Sequence, residues 1–298
     1  MMKVLSGALA LTLVGAGGSV AQDAGGTPPP PPPPTAETTI PAPEWRSVSA
    51  ESLLVLDTTK GRILVELAPE VAPLHVERIK LLARRGFYDG VPWHRVIDWF
   101  MAQTGDPLGN GEGQSPFPDL KAEFTFRRDA AMPFAAVAEP SGARVGFLHS
   151  LPVQTQPDSA FALAADGKVH AWGLYCPGVA GMARDEGNDT ANSQFFLMRQ
   201  SYPALDKRYT IWGAAVSGLD VLRSLQVGDG ENGMMAQAQP DRMTRVRVAA
   251  DIPEAERPSV QVLATDSPRF RALVEETRQA RGADFSVCDL TLPVQVVN

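Results

Sequence analysis

The sequence predicts an all-β fold, a barrel of antiparallel strands capped by two helices. Short apolar runs, several of them alternating with polar residues, recur through the middle of the chain and are typical of strands. In the same region only two segments have apolar residues at helical spacing. Many strands with so few helices favour a barrel over a parallel α/β sheet, whose strands are joined through helices.

Length and composition indicate a folded body with a Pro-dense segment beside it. The chain has 298 residues, 44% of them hydrophobic and 26 of them Pro, enough for one large or two small domains. Its 27 basic and 34 acidic residues give a net charge of −7, and its longest basic clusters are Arg84-Arg85 and Arg127-Arg128. This balance argues against a nucleic-acid footprint, so no nucleic-acid partner is predicted.

The first 21 residues have the pattern of a cleavable export signal. Lys3 precedes the apolar run Val4 to Val14, and Ser19-Val20-Ala21 is a small-x-small cleavage site. An uncleaved anchor is disfavoured because Gly7 interrupts the run, which is shorter than the ~20 residues that span a bilayer. The sequence therefore predicts a signal peptide over 1–21 and a periplasmic or secreted product without a membrane span.

A Pro-rich linker is predicted over 22–48. Residues 25–43 are GGTPPPPPPPTAETTIPAP, and such a tract forms extended polyproline II helix with almost no side chains for a core. We interpret the tract as a spacer. A second interpretation is a ligand for a Pro-binding groove.

The main domain is predicted over 49–252. Apolar residues alternate over 54–67 around Thr58-Thr59-Lys60-Gly61, which indicates a β-hairpin. Pro73 begins a stretch of helical spacing that ends at Gly86. Further apolar runs predict strands over 124–132, 145–148 and 209–213 and a second helix over 219–225.

A small C-terminal extension with one helix and one strand is predicted over 253–298. Ser267 and Pro268 suit the N-cap and first position of a helix, and Gly282 suits its end. Residues 285–297 have the pattern of an extended strand. Because the helix has an apolar face, we expect the extension to dock on the barrel or to mediate oligomerisation.

The two cysteines, Cys176 and Cys288, allow one disulfide bond in an exported protein. For a loop of this length the chain-entropy model gives about 4.7 kcal/mol of stabilisation. The alternative is two separate buried thiols, because spacing in the sequence does not show whether the side chains meet.

Common motifs for metal, nucleotide or nucleophile chemistry are missing from the sequence. The four His stand alone, at positions 75, 94, 149 and 170, without an HxxxH pair. Neither GxSxG nor a Walker motif is present, the Gly-rich stretch 109–113 lacks a following helix, and the acidic loop 185–189 lacks the terminal Glu of a calcium loop. We therefore predict no metal and no cofactor.

One stretch, residues 86–106, places a cation, an amide and apolar side chains at strand spacing. On a strand, Arg95 lies on the face opposite to His94. Phe100-Met101 and Gln103 follow on an adjoining strand. A guanidinium, an amide and an apolar pair can then converge on one groove.

Residues 53–248 resemble the cyclophilin family of peptidyl-prolyl isomerases, and two separate motif blocks carry the resemblance. The block GFYDGVPWHRVIDWFMAQTGD over 86–106 is similar to the family's GFYDG…FHRV…FMxQxGD signature. Gly181-Met182-Ala183-Arg184 through Asn192-Ser193-Gln194-Phe195-Phe196 is similar to the family's GxxxMA…NSQFF strand. The resemblance implies a closed, eight-stranded antiparallel barrel and peptidyl-prolyl cis-trans isomerase activity.

The resemblance also implies a role for each matching residue. Arg95 corresponds to the catalytic guanidinium, and Gln103 to the amide that holds it and the substrate backbone. The substrate-binding residues would be the proline-ring pocket Phe100, Met101, Phe196 and Leu205, the rim residue Tyr209, Gln194 in the neighbouring groove, and Ala183 and Arg184 beside the residue before proline. Five neighbouring residues are expected to be structural. The aromatic residues Trp93, Trp99, Phe195 and Trp212 are interpreted as core or strand packing, and His94 is interpreted as a structural residue.

Several features depart from the family pattern. Ala204 stands where many members have a Trp associated with cyclosporin binding, which implies weak sensitivity to that drug. Tyr209 stands where many members have His, and Arg184 replaces the usual Asn. Residues 126–176 form an insertion much longer than in compact members, for which a flap over the groove and a docking surface for the extension are both open.

The sequence therefore predicts an exported isomerase that accelerates rotation about X–Pro bonds in unfolded or partly folded polypeptides. The second hypothesis is a non-catalytic proline-peptide binding module or holdase chaperone. Arg95 and Gln103 favour the enzyme, because a binder needs only the apolar pocket.

Overall fold

The computed structural model describes residues 44–237 and 239–297, which form three antiparallel sheets and three α-helices. The predicted signal peptide and most of the predicted linker lie outside these residues. The strands are β1 (Trp45–Ser47), β2 (Leu53–Thr58), β3 (Gly61–Leu67), β4 (Arg95–Val96), β5 (Met101–Thr104), β6 (Phe126–Arg128), β7 (Phe134–Ala138), β8 (Arg144–Leu148), β9 (Leu151–Thr155), β10 (Val169–Gly173), β11 (Val179–Met182), β12 (Phe195–Met198), β13 (Ile211–Ser217), β14 (Met243–Val248), β15 (Ser259–Leu263) and β16 (Val294–Val297). The helices are α1 (Pro73–Arg84), α2 (Leu219–Ser224) and α3 (Pro268–Arg281).

The largest sheet has eight strands in the order β14-β2-β3-β13-β11-β12-β5-β4. The hairpin predicted over 54–67 is β2 and β3. The expected closed barrel is not confirmed, because β14 and β4 are the edges of the ladder. Among the described residues, these two sides are joined by an isolated bridge, Pro92 to Arg242, and a few backbone hydrogen bonds around it, not by a continuous ladder. The sheet is therefore open and curled.

Both helices predicted in the main domain are present. Pro73 occupies the start of α1, and Gly86, with φ +65°, follows its end. Helix α1 packs on β13 and β14, and α2 packs on β3. Their buried apolar residues belong to the main core. Whether they cap the ends of the sheet stays a prediction.

The central strands are buried on both faces. On β12, Phe195 and Leu197 belong to the main core, whereas Phe196 and Met198 belong to a second apolar cluster on the other face. In the main core Phe195 makes an edge-to-face contact with the fully buried Trp212, with ring centroids 5.3 Å apart. The core roles expected for Phe195 and Trp212, and for the buried Trp93, fit these positions.

The insertion folds into a sheet of its own. Its five strands, in the order β6-β10-β9-β8-β7, all lie within the predicted insertion 126–176. Phe147 of β8 makes an edge-to-face contact with Phe270 of α3, with centroids 5.9 Å apart. Both belong to the second apolar cluster, so the insertion carries a surface on which the C-terminal extension docks.

Chain segments on both sides of the main domain share the third sheet, in the order β1-β15-β16. Strand β1 lies within the range predicted as linker, which is a correction, because Trp45 pairs with Leu263 and Arg46 forms an ion pair with Glu66 at 2.6 Å. The strand predicted over 285–297 is also corrected. Only β16 is a strand, and Val287–Asp289 is a 3-10 turn closed by a capping box.

Cys176 and Cys288 form a disulfide bond, with Cα atoms 5.0 Å apart and a sequence separation of 112. The bond fastens the C-terminal extension to the segment that precedes β11. Of the two alternatives from the sequence, the bonded pair is the one in the structure.

Removing this bond should lower the free energy of unfolding without changing the fold. For the double variant Cys176→Ser/Cys288→Ser we expect a loss of about 2 to 5 kcal/mol, because the unfolded chain regains the entropy of a long loop. Urea unfolding followed by circular dichroism measures the loss. Ser201→Ala, which removes only a hydroxyl 3.3 Å from the Cys288 Sγ atom, is the control. An unchanged urea midpoint in the double variant would contradict the expectation.

Candidate active site

A row of paired residues crosses four neighbouring strands of the large sheet. Arg95 on β4 pairs with Gln103 on β5, Gln103 pairs with Phe196 on β12, and Phe196 pairs with Gly181 on β11. Directly paired residues of a sheet lie on the same face. The row therefore places the guanidinium, the amide and the ring side by side, on the face opposite to Phe195.

A pocket of about 360 Å³ opens beside this row. Nine of the ten predicted site residues line it, together with three others. The pocket residues are His94, Arg95, Phe100, Met101, Gln103, Gly111, Ala183, Arg184, Phe196, Leu205, Tyr209 and Met234. The tenth residue, Gln194, lies in a second pocket of about 320 Å³ that shares Gln103, Ala183 and Arg184 with the first.

A chain of hydrogen bonds fixes the guanidinium of Arg95. Its Nη1 donates to Gln103 Oε1 at 3.2 Å and its Nε donates to the Asn232 carbonyl oxygen at 2.9 Å. Gln103 Nε2 donates to Gln194 Oε1 at 2.9 Å, and Gln194 Nε2 donates to the Gly111 carbonyl oxygen at 2.8 Å. Among the described residues, no acceptor is bonded to Arg95 Nη2, so this donor is available to a bound molecule.

Arg95 is half-buried, and this burial strengthens its electrostatic influence. Loss of water contact lowers the pKa of the Arg95 guanidinium, while the nearby Tyr209 acts in the opposite direction. The group remains a cation at neutral pH, because an arginine pKa lies far above that range. A fixed cation with little surrounding water interacts more strongly with a lone pair or partial negative charge than one in bulk solvent.

The apolar walls of the pocket are supported from behind. Met101 and Phe196 are 1% and 5% exposed and belong to the second apolar cluster. Phe196 also makes an edge-to-face contact with Tyr209, with centroids 6.1 Å apart. Leu205 closes the pocket from the 3-10 turn Pro203–Leu205.

Trp99 is not core, which corrects the expectation from the sequence. Its side chain is 64% exposed and stacks on Phe100, with centroids 5.9 Å apart and planes 25° apart. The residue lies in the turn between β4 and β5, closed by a bond from the Phe100 N–H to the Ile97 carbonyl, so no sheet neighbour covers it. His94, by contrast, is 1% exposed although it is one of the pocket residues, and its structural role stays a prediction.

Arg184 supports the rim of the pocket. Its guanidinium donates to the carbonyl oxygens of Arg208, Asp185 and Glu186. It also lies over the ring of Tyr209, 4.5 Å from the centroid. This cation therefore ties the acidic loop to the rim.

Two pocket contacts come from a segment that sequence reasoning missed. Asn232 supplies the carbonyl that holds Arg95, and Met234 forms an isolated bridge with Arg95 and lines the pocket. The segment 228–236 is rich in Gly and has no apolar alternation. No local signal could have placed it beside β4.

The Gly-rich stretch 109–113 is occupied by a carboxylate of the chain itself. Asp106 accepts from the backbone N–H groups of Leu108, Asn110 and Gly111 at 2.6 to 2.9 Å. These donors, which would otherwise suit an anion, are thus already satisfied. In the described part of the chain no group of three or more His, Cys, Asp or Glu could hold a metal ion, and no helix there is long and apolar enough to cross a membrane.

The site as a whole is a pocket with apolar walls, next to a cation held in a fixed orientation. The chain matches the family model of cyclophilin type peptidyl-prolyl cis-trans isomerases over residues 53–248. It is 34% identical over 213 residues to a probable peptidyl-prolyl cis-trans isomerase of Brucella suis biovar 1, covering 67% of this chain and 84% of that protein. The isomerase ppi1 of Schizosaccharomyces pombe is 31% identical over 170 residues, which cover 57% of this chain and 82% of that protein.

A solved structure is also similar. The crystal structure of cyclophilin AquaCyp293 from Hirschia baltica matches with a TM-score of 0.76 and 34% identity, covering 85% of this chain and 93% of that chain. The match extends beyond residues 53–248, which make up about two thirds of the chain. The chain therefore belongs to the cyclophilin family and is a peptidyl-prolyl cis-trans isomerase.

Asp206, next to Leu205, should make stability depend on pH. Burial raises the pKa of Asp206 to about 6, while its carboxylate accepts the Tyr175 N–H at 3.0 Å. In the unfolded chain this group ionises near pH 4. The folded state therefore loses stability as pH rises from about 4 to about 6, and the loss is constant above that.

Asp206→Asn removes this ionisation and keeps an acceptor oxygen. At pH 7.5 we expect the variant to be more stable than the native protein by about 1 kcal/mol, less than the full shift implies because water reaches the group. The difference should shrink toward pH 4.5 in urea unfolding. Asp220→Asn, at the exposed start of α2, is the control. A stability difference that does not vary with pH would contradict the assignment.

Proposed function

We propose that Arg95 catalyses the isomerisation by stabilising the twisted X–Pro amide while the apolar pocket holds the proline ring. The observation that carries this proposal is the fixed guanidinium, bonded to Gln103 and Asn232, beside the buried side chains of Met101 and Phe196. Phe100 and Leu205 complete the proposed ring pocket.

The chemistry of the X–Pro bond explains why this set of groups suffices. The amide resists rotation because its nitrogen donates a lone pair to the carbonyl, and uncatalysed exchange takes tens to hundreds of seconds. Twisting the bond localises that lone pair on the nitrogen. A donor aimed at the prolyl nitrogen therefore binds the twisted state more strongly than the planar one, which lowers the barrier.

The second pocket is proposed to receive the substrate residues before proline. Gln103, Ala183 and Arg184 line both pockets, and Gln103 donates to Gln194, which lines the second one. An extended polypeptide that crosses from one to the other would place its X–Pro bond beside Arg95. The proposed substrates are X–Pro segments of unfolded or partly folded polypeptides.

Replacing Arg95 should reduce turnover far more than binding. For Arg95→Ala we expect a loss of kcat/KM of about 10²-fold or more, the scale for deleting one preorganised donor to a transition state. The measurement is isomerisation of a short X–Pro peptide, with folding checked by circular dichroism. Arg245→Ala, which removes an exposed cation on β14, is the matched control and should keep the native rate.

Two outcomes would contradict this mechanism. Equal rates for the native protein and Arg95→Ala would exclude Arg95 as the catalyst. Peptide affinity without any rate above background in the native protein would instead indicate the binding module or holdase.

We further propose that the enzyme acts on exported proteins in the periplasm or outside the cell. The proposal is supported by the sequence pattern of residues 1–21, with Lys3 before an apolar run and a small-x-small site before Gln22. The bond between Cys176 and Cys288 is consistent with an oxidising compartment.

The N-terminal segment should direct export. Residues 1–30 fused to an alkaline phosphatase that is active only after export should give an active fusion in a Gram-negative host, with a mature N-terminus at Gln22 by mass spectrometry. Leu11→Lys, which interrupts the apolar run, should abolish the activity. Cytoplasmic retention of the unaltered fusion would contradict the export proposal.

A further inference from the structure

Tyr175, which lies behind the pocket and does not line it, contacts the pocket's floor directly. The residue is in the segment between β10 and β11 and is 1% exposed. Its ring stacks on the ring of Phe196, with centroids 5.7 Å apart and planes 26° apart. A shift of this ring would move Phe196, because the packed cluster around them leaves little free space.

The backbone of Tyr175 also fixes the opposite wall. Its N–H donates to Asp206 Oδ1 at 3.0 Å, and its carbonyl accepts from the Tyr202 N–H at 2.9 Å. Asp206 and Tyr202 flank the 3-10 turn Pro203–Leu205, so both ends of that turn are tied to one residue. Leu205 is therefore positioned through Tyr175.

A third wall is linked through Tyr202. The rings of Tyr202 and Phe100 have centroids 4.7 Å apart. Phe100, Phe196 and Leu205 are thus connected to Tyr175 by one or two contacts each.

The rings of Tyr175 and Phe196 lie against Gly181 of β11, and this packing depends on the missing side chain of that glycine. A Cβ atom added at Gly181 would lie 2.6 Å from the Tyr175 hydroxyl oxygen and 2.7 Å from Cζ of Phe196. No side chain larger than hydrogen fits there without moving one of these rings. The Tyr175 hydroxyl is buried, and within the described residues no group bonds to it, so packing of the ring rather than its hydroxyl sets the position.

The C-terminal extension is bonded to the residue that follows Tyr175. Cys176, which follows Tyr175, is bonded to Cys288, and Ser201 donates to the Cys288 sulfur at 3.3 Å. The extension therefore anchors the segment that carries Tyr175.

We propose that Tyr175 is a positioning residue of the isomerase, which sets the distances among Phe196, Leu205 and Phe100 around the substrate's proline ring. This inference rests on the proposed function, because it takes the pocket to be the proline site. A pocket of altered shape holds the ring less well in both the planar and the twisted state. Such a loss of uniform binding raises KM and leaves kcat nearly unchanged.

The test is a comparison of KM and kcat for an X–Pro peptide by exchange NMR at several peptide concentrations. For Tyr175→Leu we expect KM to rise about five-fold or more, the scale of one lost aromatic pair, with kcat within two-fold of native. Tyr175→Phe keeps the ring, so its KM should equal that of the native protein. Phe147→Leu loosens the same apolar cluster away from the pocket and is the matched control.

Native KM in Tyr175→Leu, or an equal rise in Phe147→Leu, would overturn the proposal. Should Tyr175→Leu fail to fold, Tyr175→Met, which keeps a long apolar side chain but no ring, tests the same stacking contact with Phe196. It should raise KM and leave kcat within two-fold of native. A native KM in this variant would overturn the proposal. Failure of the proposed function is distinguishable, since native protein would then show no Arg95-dependent rate at all.

Discussion

The pleat of a sheet that is buried on both faces is the constraint on which the rest of this structure depends. On β12, Phe195 packs in the main core and Phe196, the next residue, forms the floor of the pocket. The row from Arg95 through Gln103 to Phe196 exists only in the observed register. A slip of β12 by one residue would exchange its two faces and place Phe195 in the pocket, and the same slip of β4 would turn the guanidinium of Arg95 toward the core.

Because folding brings these strands together, the orientation of the Arg95 guanidinium is set when the chain folds. The bonds from Arg95 to Gln103 and from Gln103 to Gln194 hold the cation in place before any substrate arrives. A donor that is already oriented needs no reorganisation when charge develops beside it, and this is the advantage of a preorganised site over water. Under the proposed function, the charge that develops is the lone pair of the twisted amide. Phe196 and Met101 belong to a large apolar cluster that also includes residues of the insertion and of the extension.

The sequence predicted those elements whose signals lie in neighbouring residues. Helix α1 follows from Pro73, its apolar spacing and Gly86, and the hairpin of β2 and β3 follows from alternation around a turn. The two motif blocks brought the site residues together because neighbouring strands carry them. Helix α3 was predicted from Ser267, whose side chain accepts the Phe270 N–H, in the way an N-cap residue does.

Long-range pairing explains what the sequence did not show. Trp45 forms a strand only because Leu263, more than two hundred residues away, is its partner, and a Pro-rich neighbourhood concealed it. The open edge between β14 and β4 depends on pairing across the whole domain. The exposure of Trp99 and the approach of Met234 to Arg95 likewise depend on which loops lie nearby, and no residue pattern encodes that.

The most direct measurement of the central claim is the interconversion rate of an enzyme-bound X–Pro peptide when the residue at position 95 is citrulline, a neutral group of nearly the same shape as arginine. If the cation stabilises the localised lone pair, the peptide will bind with near-native affinity while its cis and trans forms exchange at least ten-fold more slowly, as observed by exchange NMR. An exchange rate equal to that of the native enzyme would contradict the account.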